Sequence, residues 1–212
     1  MTQVFLIRHG KNDWMDKKLA GWTPGVHLNE AGRKEAGILA ERLSPVPFEA
    51  IYSSPLERTT ETATPLADAR GLEVVTEVDL GEVRYGDWQG ESLSRLAKKK
   101  EWSIVRFTPS AMRFPGGESM REMQSRSVAS IERIALAYPE GNVAVFSHGD
   151  VIRAITAHFV GMPLDMLHRL MIAPASVTVL YLGEFGARLL RLNDTGPFLP
   201  PSQDGHKPKR RK

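Results

Sequence analysis

Short apolar runs that alternate with segments of helical period constrain this chain most strongly. Residues 4–7, 50–53 and 142–147 are predicted as buried strands, and each run ends at a polar turn. Residues 177–182 and 188–192 are predicted to finish the sheet as a hairpin. Because strands that alternate with helices favour parallel pairing, the pattern predicts an α/β fold with a largely parallel sheet.

Capping and breaking residues mark the helices between these strands. Asn29 is expected to cap the first helix, and residues 119–122 form a capping box at the start of a later one. Ser54 and Pro55 are expected to open the helix after the second strand, as its cap and first residue. Pro65 is expected to kink or interrupt that helix.

The length of the chain, 212 residues, suits one α/β domain, which we expect to span residues 1–201. Residues 202–212 hold five basic side chains and one acidic one, a net charge of +4, whereas the whole chain carries +3. The basicity therefore belongs to a polar tail that is predicted to be disordered. No aromatic side chain is interleaved with its charges, so nucleic acid is not expected as a partner.

The composition excludes several classes of function. The chain has no cysteine, which excludes disulfides, thiolate metal ligands and a cysteine nucleophile. Its first apolar run, at residues 4–7, is too short for the hydrophobic region of a signal peptide. No stretch approaches the roughly 20 apolar residues of a membrane helix. We therefore expect a cytoplasmic protein with no membrane partner.

The first strand runs into Arg8, His9 and Gly10, where the glycine is expected to turn the backbone. Open α/β sheets place their ligands at the C-terminal ends of the strands. A guanidinium beside an imidazole suits a phosphate, because the guanidinium can clamp the oxyanions while the imidazole attacks phosphorus. Arg8 and His9 are therefore candidates for a phosphate site.

Two later strand ends supply matching side chains. Arg58 falls in the first turn of the helix after the second strand, and His148 lies between the strand at 142–147 and the next helix. The N-terminus of that helix offers free N–H groups and a positive dipole end to an anion. In a parallel sheet these strand ends face the same way, so we expect Arg8, His9, Arg58 and His148 to converge on one pocket.

Four motifs follow one another along the chain. They are Arg-His-Gly at 8–10, Arg-Thr-Thr-Glu-Thr-Ala at 58–63, Leu-Gly-Glu at 80–82 leading into Gly-Asp-Trp-Gln-Gly at 86–90, and Ser-His-Gly at 147–149. In order and spacing they resemble the histidine phosphatase superfamily, the phosphoglycerate-mutase-like proteins. The resemblance implies a single-domain, three-layer α/β/α sandwich with a mostly parallel sheet.

The resemblance also implies a role for each matching residue. His9 would take the phosphoryl group, and its other ring nitrogen is expected to donate to a carbonyl. Arg8, Arg58 and His148 would surround the phosphoryl oxygens and stabilise the transition state without a metal. Glu82 would protonate the leaving alkoxide and then deprotonate water, and the nearby phosphate should raise its pKa. No cofactor is implied.

Three further residues complete the predicted substrate-binding set. Asn12 stands where such proteins often have serine or threonine, and could donate to the phosphate. Gly149 ends the last motif and precedes the helix expected from residue 150, and Trp22 could be either a pocket wall or part of the core. Met15 stands where many relatives, the mutases especially, have an asparagine that contacts phosphate.

Two assignments keep alternatives. Asp87, Glu91 and Asp150 rival Glu82 as the proton donor. A metal site formed by Glu82 and the two motif histidines is conceivable by residue type, but two adjacent arginines would repel a cation. The expectation is therefore a site without metal.

The phosphohistidine could be passed to water by a phosphatase or returned to a sugar acid by a mutase. The segment at 93–118 is compact, and residues 114–119 resemble the phosphatase-type branch. Residues 20–28 and 193–196 resemble a bacterial subgroup named probable phosphomutases. We therefore expect a phosphomonoesterase for a small phosphorylated metabolite, with mutase activity as the first alternative. A non-catalytic phosphate-binding or regulatory protein is the second alternative, and the sequence leaves room for a homodimer.

Overall fold

The computed structural model describes residues 2–197, which form a six-stranded sheet with helices on both faces. The strands are β1 (Thr2–Arg8), β2 (Ala50–Ser53), β3 (Val74–Thr76), β4 (Asn142–Ser147), β5 (Val177–Gly183) and β6 (Gly186–Asp194). The α-helices are α1 (Glu30–Arg42), α2 (Glu57–Arg70), α3 (Leu93–Leu96), α4 (Trp102–Phe107), α5 (Met120–Ala137) and α6 (Gly149–Phe159). Shorter 3-10 helices span Val78–Leu80, Gly86–Trp88, Pro109–Ala111 and Leu164–Arg169.

The sheet has the strand order β3-β2-β4-β1-β5-β6. Its first four strands are parallel, with β1 paired to β4, β4 to β2, and β2 to β3. β5 runs antiparallel to β1 and forms a hairpin with β6 that closes at the Gly183 and Gly186 pair. The predicted parallel sheet and terminal hairpin are confirmed.

Alternate side chains of β1 enter two separate cores, because successive residues of a strand point to opposite faces. Val4 and Leu6 share one core with α5 and α6, whereas Phe5 and Ile7 share the other with α1 and α2. None of these four side chains is more than 1% exposed. The alternation therefore produces the predicted three-layer α/β/α sandwich.

The helix boundaries agree with the predicted caps except at α2. Asn29 caps α1, and Ser119 caps α5 within the expected capping box. The prediction for α2 is wrong, because that helix begins at Glu57 and Ser54 bonds a distant side chain instead. Pro65 lies inside α2 without interrupting it, since packing against α1 outweighs the one backbone bond that proline cannot make.

The C-terminal ends of β1, β2 and β4 lie side by side at one edge of the sheet. Arg8 is in register with Ser147, and Ser53 with Phe146. The loops that leave these strands carry the candidate residues, so the parallel topology positions the site.

The described residues do not extend to the predicted basic tail. Residues 202–212 lie outside them, and so does the end of the predicted 1–201 domain. Between residues 2 and 197, the helices lack the combination of length and apolar character that crossing a membrane requires.

Candidate active site

Two histidines and two arginines from three strand ends meet at this edge of the sheet. Arg8 and His9 end β1, Arg58 lies in the first turn of α2, and His148 precedes α6. The ring centroids of His9 and His148 are 5.3 Å apart, and Nη2 of Arg58 lies 3.2 Å from Nδ1 of His148. The structure therefore brings the four side chains together.

His9 is a neutral imidazole with one nitrogen engaged. Its Nδ1 lies 2.7 Å from the carbonyl oxygen of Gly10. A carbonyl can only accept, so Nδ1 carries the ring proton and Nε2 keeps its lone pair. Burial lowers the pKa of His9 well below its usual value, and the charges of Arg58 and Arg8 lower it further. Nε2 is therefore available as a nucleophile at neutral pH.

The guanidinium groups of Arg58 and Arg8 carry positive charge inside the protein, and each has N–H donors without a hydrogen-bond partner in the described residues. Arg58 is 1% exposed, and its Nη2 donates to the carbonyl of Gly21 at 2.9 Å. Within residues 2–197, Nε and Nη1 of Arg58 and Nε of Arg8 have no hydrogen-bond partner. Burial lowers the pKa of both guanidiniums, but arginine stays protonated in proteins. Buried charged donors are costly without an acceptor, so this arrangement suits an anion.

The two ring nitrogens of His148 have different partners. Nδ1 faces Arg58, which can only donate, so Nδ1 accepts. Nε2 therefore carries the proton and donates to Oγ of Ser54 at 2.8 Å. Burial, followed by the charge of Arg58, lowers the pKa of His148 well below its usual value. Arg58 thus fixes the tautomer of this ring, and Ser54 supplies the acceptor that orients it.

Glu82 lies between β3 and α3, with its carboxyl group directed at His148. Oε1 accepts from the N–H of Val83 at 2.9 Å, and Oε2 lies 3.8 Å from Nδ1 of His148. Burial raises the pKa of Glu82 to about 7, and the Asp150 carboxylate adds to this effect while Arg58 opposes it. A carboxyl group with a pKa near neutrality can both give and take a proton.

A buried framework on α5 holds the backbone of Glu82. Its carbonyl accepts from Nη2 of Arg126 at 2.9 Å and from Nε1 of Trp22 at 2.7 Å. Arg126 also donates to both carboxylate oxygens of Glu118 and to the carbonyl of Asp79. The side chains of Arg126 and Glu118 are only 12% and 9% exposed. The position of Glu82 therefore depends on side chains outside the loop that carries it.

Glycines permit the close contacts that place His9 and Arg8. The sequence predicts a turn at Gly10, but the tighter constraint is packing, because a Cβ there would lie 2.8 Å from the carbonyl oxygen of Gly32 in α1. Gly149 lies against Arg8, and a Cβ there would be 3.3 Å from Nε of the guanidinium. A side chain at Gly10 would force its loop away from α1, and one at Gly149 would displace the Arg8 guanidinium by a few tenths of an ångström.

The motifs that supply these residues match one protein family. The family model described as the histidine phosphatase superfamily (branch 1) matches residues 4–195. The chain belongs to this superfamily. It is 30% identical to phosphoserine phosphatase 1 of Hydrogenobacter thermophilus, over 92% of this chain and 93% of that protein. It is 32% identical to the Yersinia pestis protein named probable phosphoglycerate mutase GpmB, over 84% of each chain.

A solved structure of the superfamily is similar in fold to this histidine phosphatase. The mycobacterial glucosyl-3-phosphoglycerate phosphatase, solved with VO3, matches with a TM-score of 0.82 and 28% sequence identity. The match covers 90% of this chain and 98% of that one. Phosphatases named for small phosphorylated metabolites and a mutase-like protein are thus both among the relatives.

Of the additional substrate-binding residues predicted for this histidine phosphatase, only two line the cavity. Asn12 and Gly149 line the cavity at the site, whereas Trp22 does not. Oδ1 of Asn12 accepts from the backbone N–H groups of Trp14 and Met15, each at 3.0 Å, which leaves its NH2 group for a ligand. The indole of Trp22 instead donates to the backbone carbonyl of Glu82.

The rival acids differ from Glu82 in their surroundings. Asp150 also lines the cavity, but its carboxylate pairs with Arg153 at 2.7 Å. Asp87 and Glu91 do not line it. Over the described range 2–197, no group of three or more acidic or histidine side chains is arranged to hold a metal ion.

Sequence reasoning missed three supporting residues: Ser54, Glu118 and Arg126. Ser54 was hidden because serine before proline is also a helix-start pattern. Arg126 had a usable signal, since it falls three residues after the buried Met123 and thus on the inner face of α5. A charged residue on a buried face needs a partner, which is Glu118 here.

A cavity of about 570 Å³ opens beside these residues, a size typical of small-molecule sites. Arg8, His9, Arg58 and Glu82 line its inner, more buried end. Exposed side chains, among them Lys18 and Phe107, line its mouth. The cavity therefore leads from solvent to the imidazole.

Proposed function

We propose that this histidine phosphatase hydrolyses phosphomonoesters of small metabolites through a phosphohistidine at His9. One observation carries the proposal: a neutral, buried imidazole with Nε2 available lies among the unpaired donors of Arg8 and Arg58. A nucleophile inside an anion site is the arrangement that phosphoryl transfer needs.

The proposed reaction has two steps that share one acid–base group. First, Nε2 of His9 attacks phosphorus, the bond to the ester oxygen breaks, and the Glu82 carboxylic acid protonates the departing alkoxide. Next, the Glu82 carboxylate takes a proton from water as its oxygen attacks phosphorus and the P–N bond breaks. Inorganic phosphate leaves, and His9 and Glu82 return to their starting protonation states.

Arg8 and Arg58 hold the phosphoryl oxygens in this proposal. His148 joins them once the bound phosphate dianion favours protonation of Nδ1, which turns that nitrogen from an acceptor into a donor. The guanidiniums supply charge-assisted donors, which are stronger in a buried site than in water. Asn12 adds its NH2 group, and Gly149 adds its backbone N–H at the start of α6. These groups neutralise the phosphate with no metal or cofactor in either step.

Hydrolysis is the preferred outcome because the cavity gives water a path to the phosphohistidine. The mutase alternative is supported by the similarity to the Yersinia protein. A non-catalytic phosphate-binding protein would need Arg8 and Arg58, but it would have no use for a neutral His9 with a carboxylic acid beside it.

Phosphate release from a panel of phosphomonoesters tests the proposal, with His9→Ala as the matched variant. We expect release by the wild type only, and an acid-labile phosphoryl label on the wild type when the reaction with labelled ester is rapidly quenched. Absence of both release and label would favour the phosphate-binding protein. Conversion of 3-phosphoglycerate to 2-phosphoglycerate in the presence of 2,3-bisphosphoglycerate, faster than hydrolysis, would favour the mutase.

Assembly and location are also proposals. β6 is an outer strand of the sheet in the described chain, and it leaves Leu190 and Leu192 40% and 39% exposed. Such an edge suits pairing with a second copy, so we propose a homodimer, which sedimentation equilibrium would test. The cytoplasmic location expected from the sequence stays a prediction, to be tested by cell fractionation.

A further inference from the structure

The mouth of the cavity presents apolar and aromatic side chains beside its charged ones, whereas the inner end is mainly charged. Six side chains that line it are partly or largely exposed: Trp14, Met15, Leu19, Trp102, Val105 and Phe107. They belong to the loop after β1 and to α4. An ester whose phosphoryl group occupies the inner end would extend its alcohol portion past these side chains, because both parts line the same cavity.

Hydrogen bonds hold both walls of the mouth in place. Nε2 of His168 donates to the carbonyl of Val105 at 2.8 Å, which ties α4 to the chain after α6. The N–H of Leu19 donates to the carbonyl of Glu91 at 3.0 Å. Walls that are already ordered favour binding, because little conformational entropy is lost when a ligand covers them.

The cationic side chains at the mouth are exposed or already paired, among the residues that the structure describes. Arg153 pairs with Asp150 at 2.7 Å. Lys18 and Arg106 belong to exposed residues, and each lies over an aromatic ring of the wall, at 4.7 and 5.4 Å from the centroid. Solvent weakens the attraction between such charges and a carboxylate. A small acidic leaving group would therefore gain little here.

We propose that the natural substrate is a phosphomonoester of a bulky apolar alcohol, aromatic or branched aliphatic, in preference to a small carboxylated one. This inference rests on the proposed phosphatase reaction and names the substrate class for the same site. Covering the six wall side chains with an apolar group removes their surface from water, which stabilises the bound transition state and raises kcat/KM.

The test compares ethyl and 2-phenylethyl phosphate, whose leaving alcohols are similar in acidity, with phosphoserine, whose leaving alcohol is more acidic and so departs more readily. We expect kcat/KM for 2-phenylethyl phosphate to exceed that for ethyl phosphate and for phosphoserine by about tenfold or more. Equal values for the phenylethyl and ethyl esters, or a preference for phosphoserine, would overturn the inference while the phosphatase proposal stands. No hydrolysis of any ester would overturn both.

Phe107→Ala tests the wall itself. Phe107 is 68% exposed, so we expect the variant to fold and to lose the phenylethyl preference by roughly threefold or more. Phe185→Ala is the matched control, because Phe185 is 88% exposed in the β5–β6 turn and does not line this cavity. An unchanged preference in both Phe107→Ala and Trp102→Ala would overturn the inference.

Discussion

The hydroxyl of Ser54 accepts a hydrogen bond of 2.8 Å from Nε2 of His148, and neither residue has any solvent exposure. Arg58 faces the other ring nitrogen and can only donate to it, so the proton of His148 lies on Nε2 and the Ser54 hydroxyl is its acceptor. The residue that follows β2 thus orients a ring that follows β4.

Ser54→Ala should lower kcat about tenfold and destabilise the fold by about 1–3 kcal/mol, because it leaves a buried N–H of His148 without an acceptor. Steady-state kinetics, urea unfolding and the ¹⁵N chemical shifts of the imidazole measure the three effects. Ser53→Ala is the matched control, since its hydroxyl donates only to the Ser54 carbonyl. If Ser54→Ala kept both kcat and the imidazole ¹⁵N chemical shifts, Ser54 would not be a positioning residue.

Glu82→Gln should lose activity in proportion to the basicity of the leaving group. An alkoxide needs a proton as it departs, whereas 4-nitrophenolate does not. We expect kcat to fall about a hundredfold or more with an alkyl phosphate and much less with 4-nitrophenyl phosphate. Equal losses on the two esters would assign the proton to another group, and Asp150→Asn would be the next variant to measure.

The pKa of Glu82 also predicts how the variant changes stability with pH. Burial raises this pKa from 4.5 to about 7, so between these values the folded protein binds more protons than the unfolded one. The contribution of Glu82 to the free energy of unfolding is complete below the lower value and is lost as pH rises through the higher one. Glutamine does not ionise, so Glu82→Gln keeps its free energy of unfolding where the wild type loses it.

Relative to wild type, Glu82→Gln should therefore gain up to about 3 kcal/mol of stability between about pH 5 and about pH 8. Urea unfolding of both proteins at the two pH values measures the difference. His9 and His148 titrate in both proteins, so their contributions cancel to first order. A stability difference that did not change with pH would contradict a raised pKa at Glu82.

Arg126→Lys should disturb Glu82 from a distance, because an ammonium group cannot replace the fork that bonds both Glu118 oxygens and two backbone carbonyls. We expect kcat to fall more with an alkyl phosphate than with 4-nitrophenyl phosphate, together with a loss of about 3 kcal/mol or more in stability. Arg121→Lys, on the exposed side of the same helix, is the control. A loss of stability with equal rate losses on the two esters would show that Arg126 stabilises the fold without positioning Glu82.

Much of the site could be predicted because its chemistry is local in sequence. Arg8 and His9 lie at the end of β1. Arg58 and His148 lie within a few residues of the ends of β2 and β4. Once the strands are known to be parallel, their ends must meet, and the alternation of apolar runs with helical segments was enough to establish that. The three layers were implied by the family resemblance, and the structure forms them by directing alternate side chains of β1 to opposite faces.

The rest depended on partners that no local pattern contains. Ser54 has the residue type of a cap, but a hydrogen bond to a ring 94 positions away in sequence determines its role. Trp22 was expected at the substrate or in the core, yet its indole supports the carbonyl of Glu82. Such choices are made by tertiary contacts, which compete with local preferences and are visible only after the chain is folded.

Gly32 sits in the first turn of α1, where routine stabilisation would replace it with alanine to improve helix propensity. A methyl group there would overlap the carbonyl oxygen of Lys11, next to the glycine whose carbonyl holds the proton of His9. Gly32→Ala would therefore force α1 and the loop that carries His9 apart, and the gain in helix propensity would not offset that strain. The spacing between a helix and a loop is, in this enzyme, part of its acid–base chemistry.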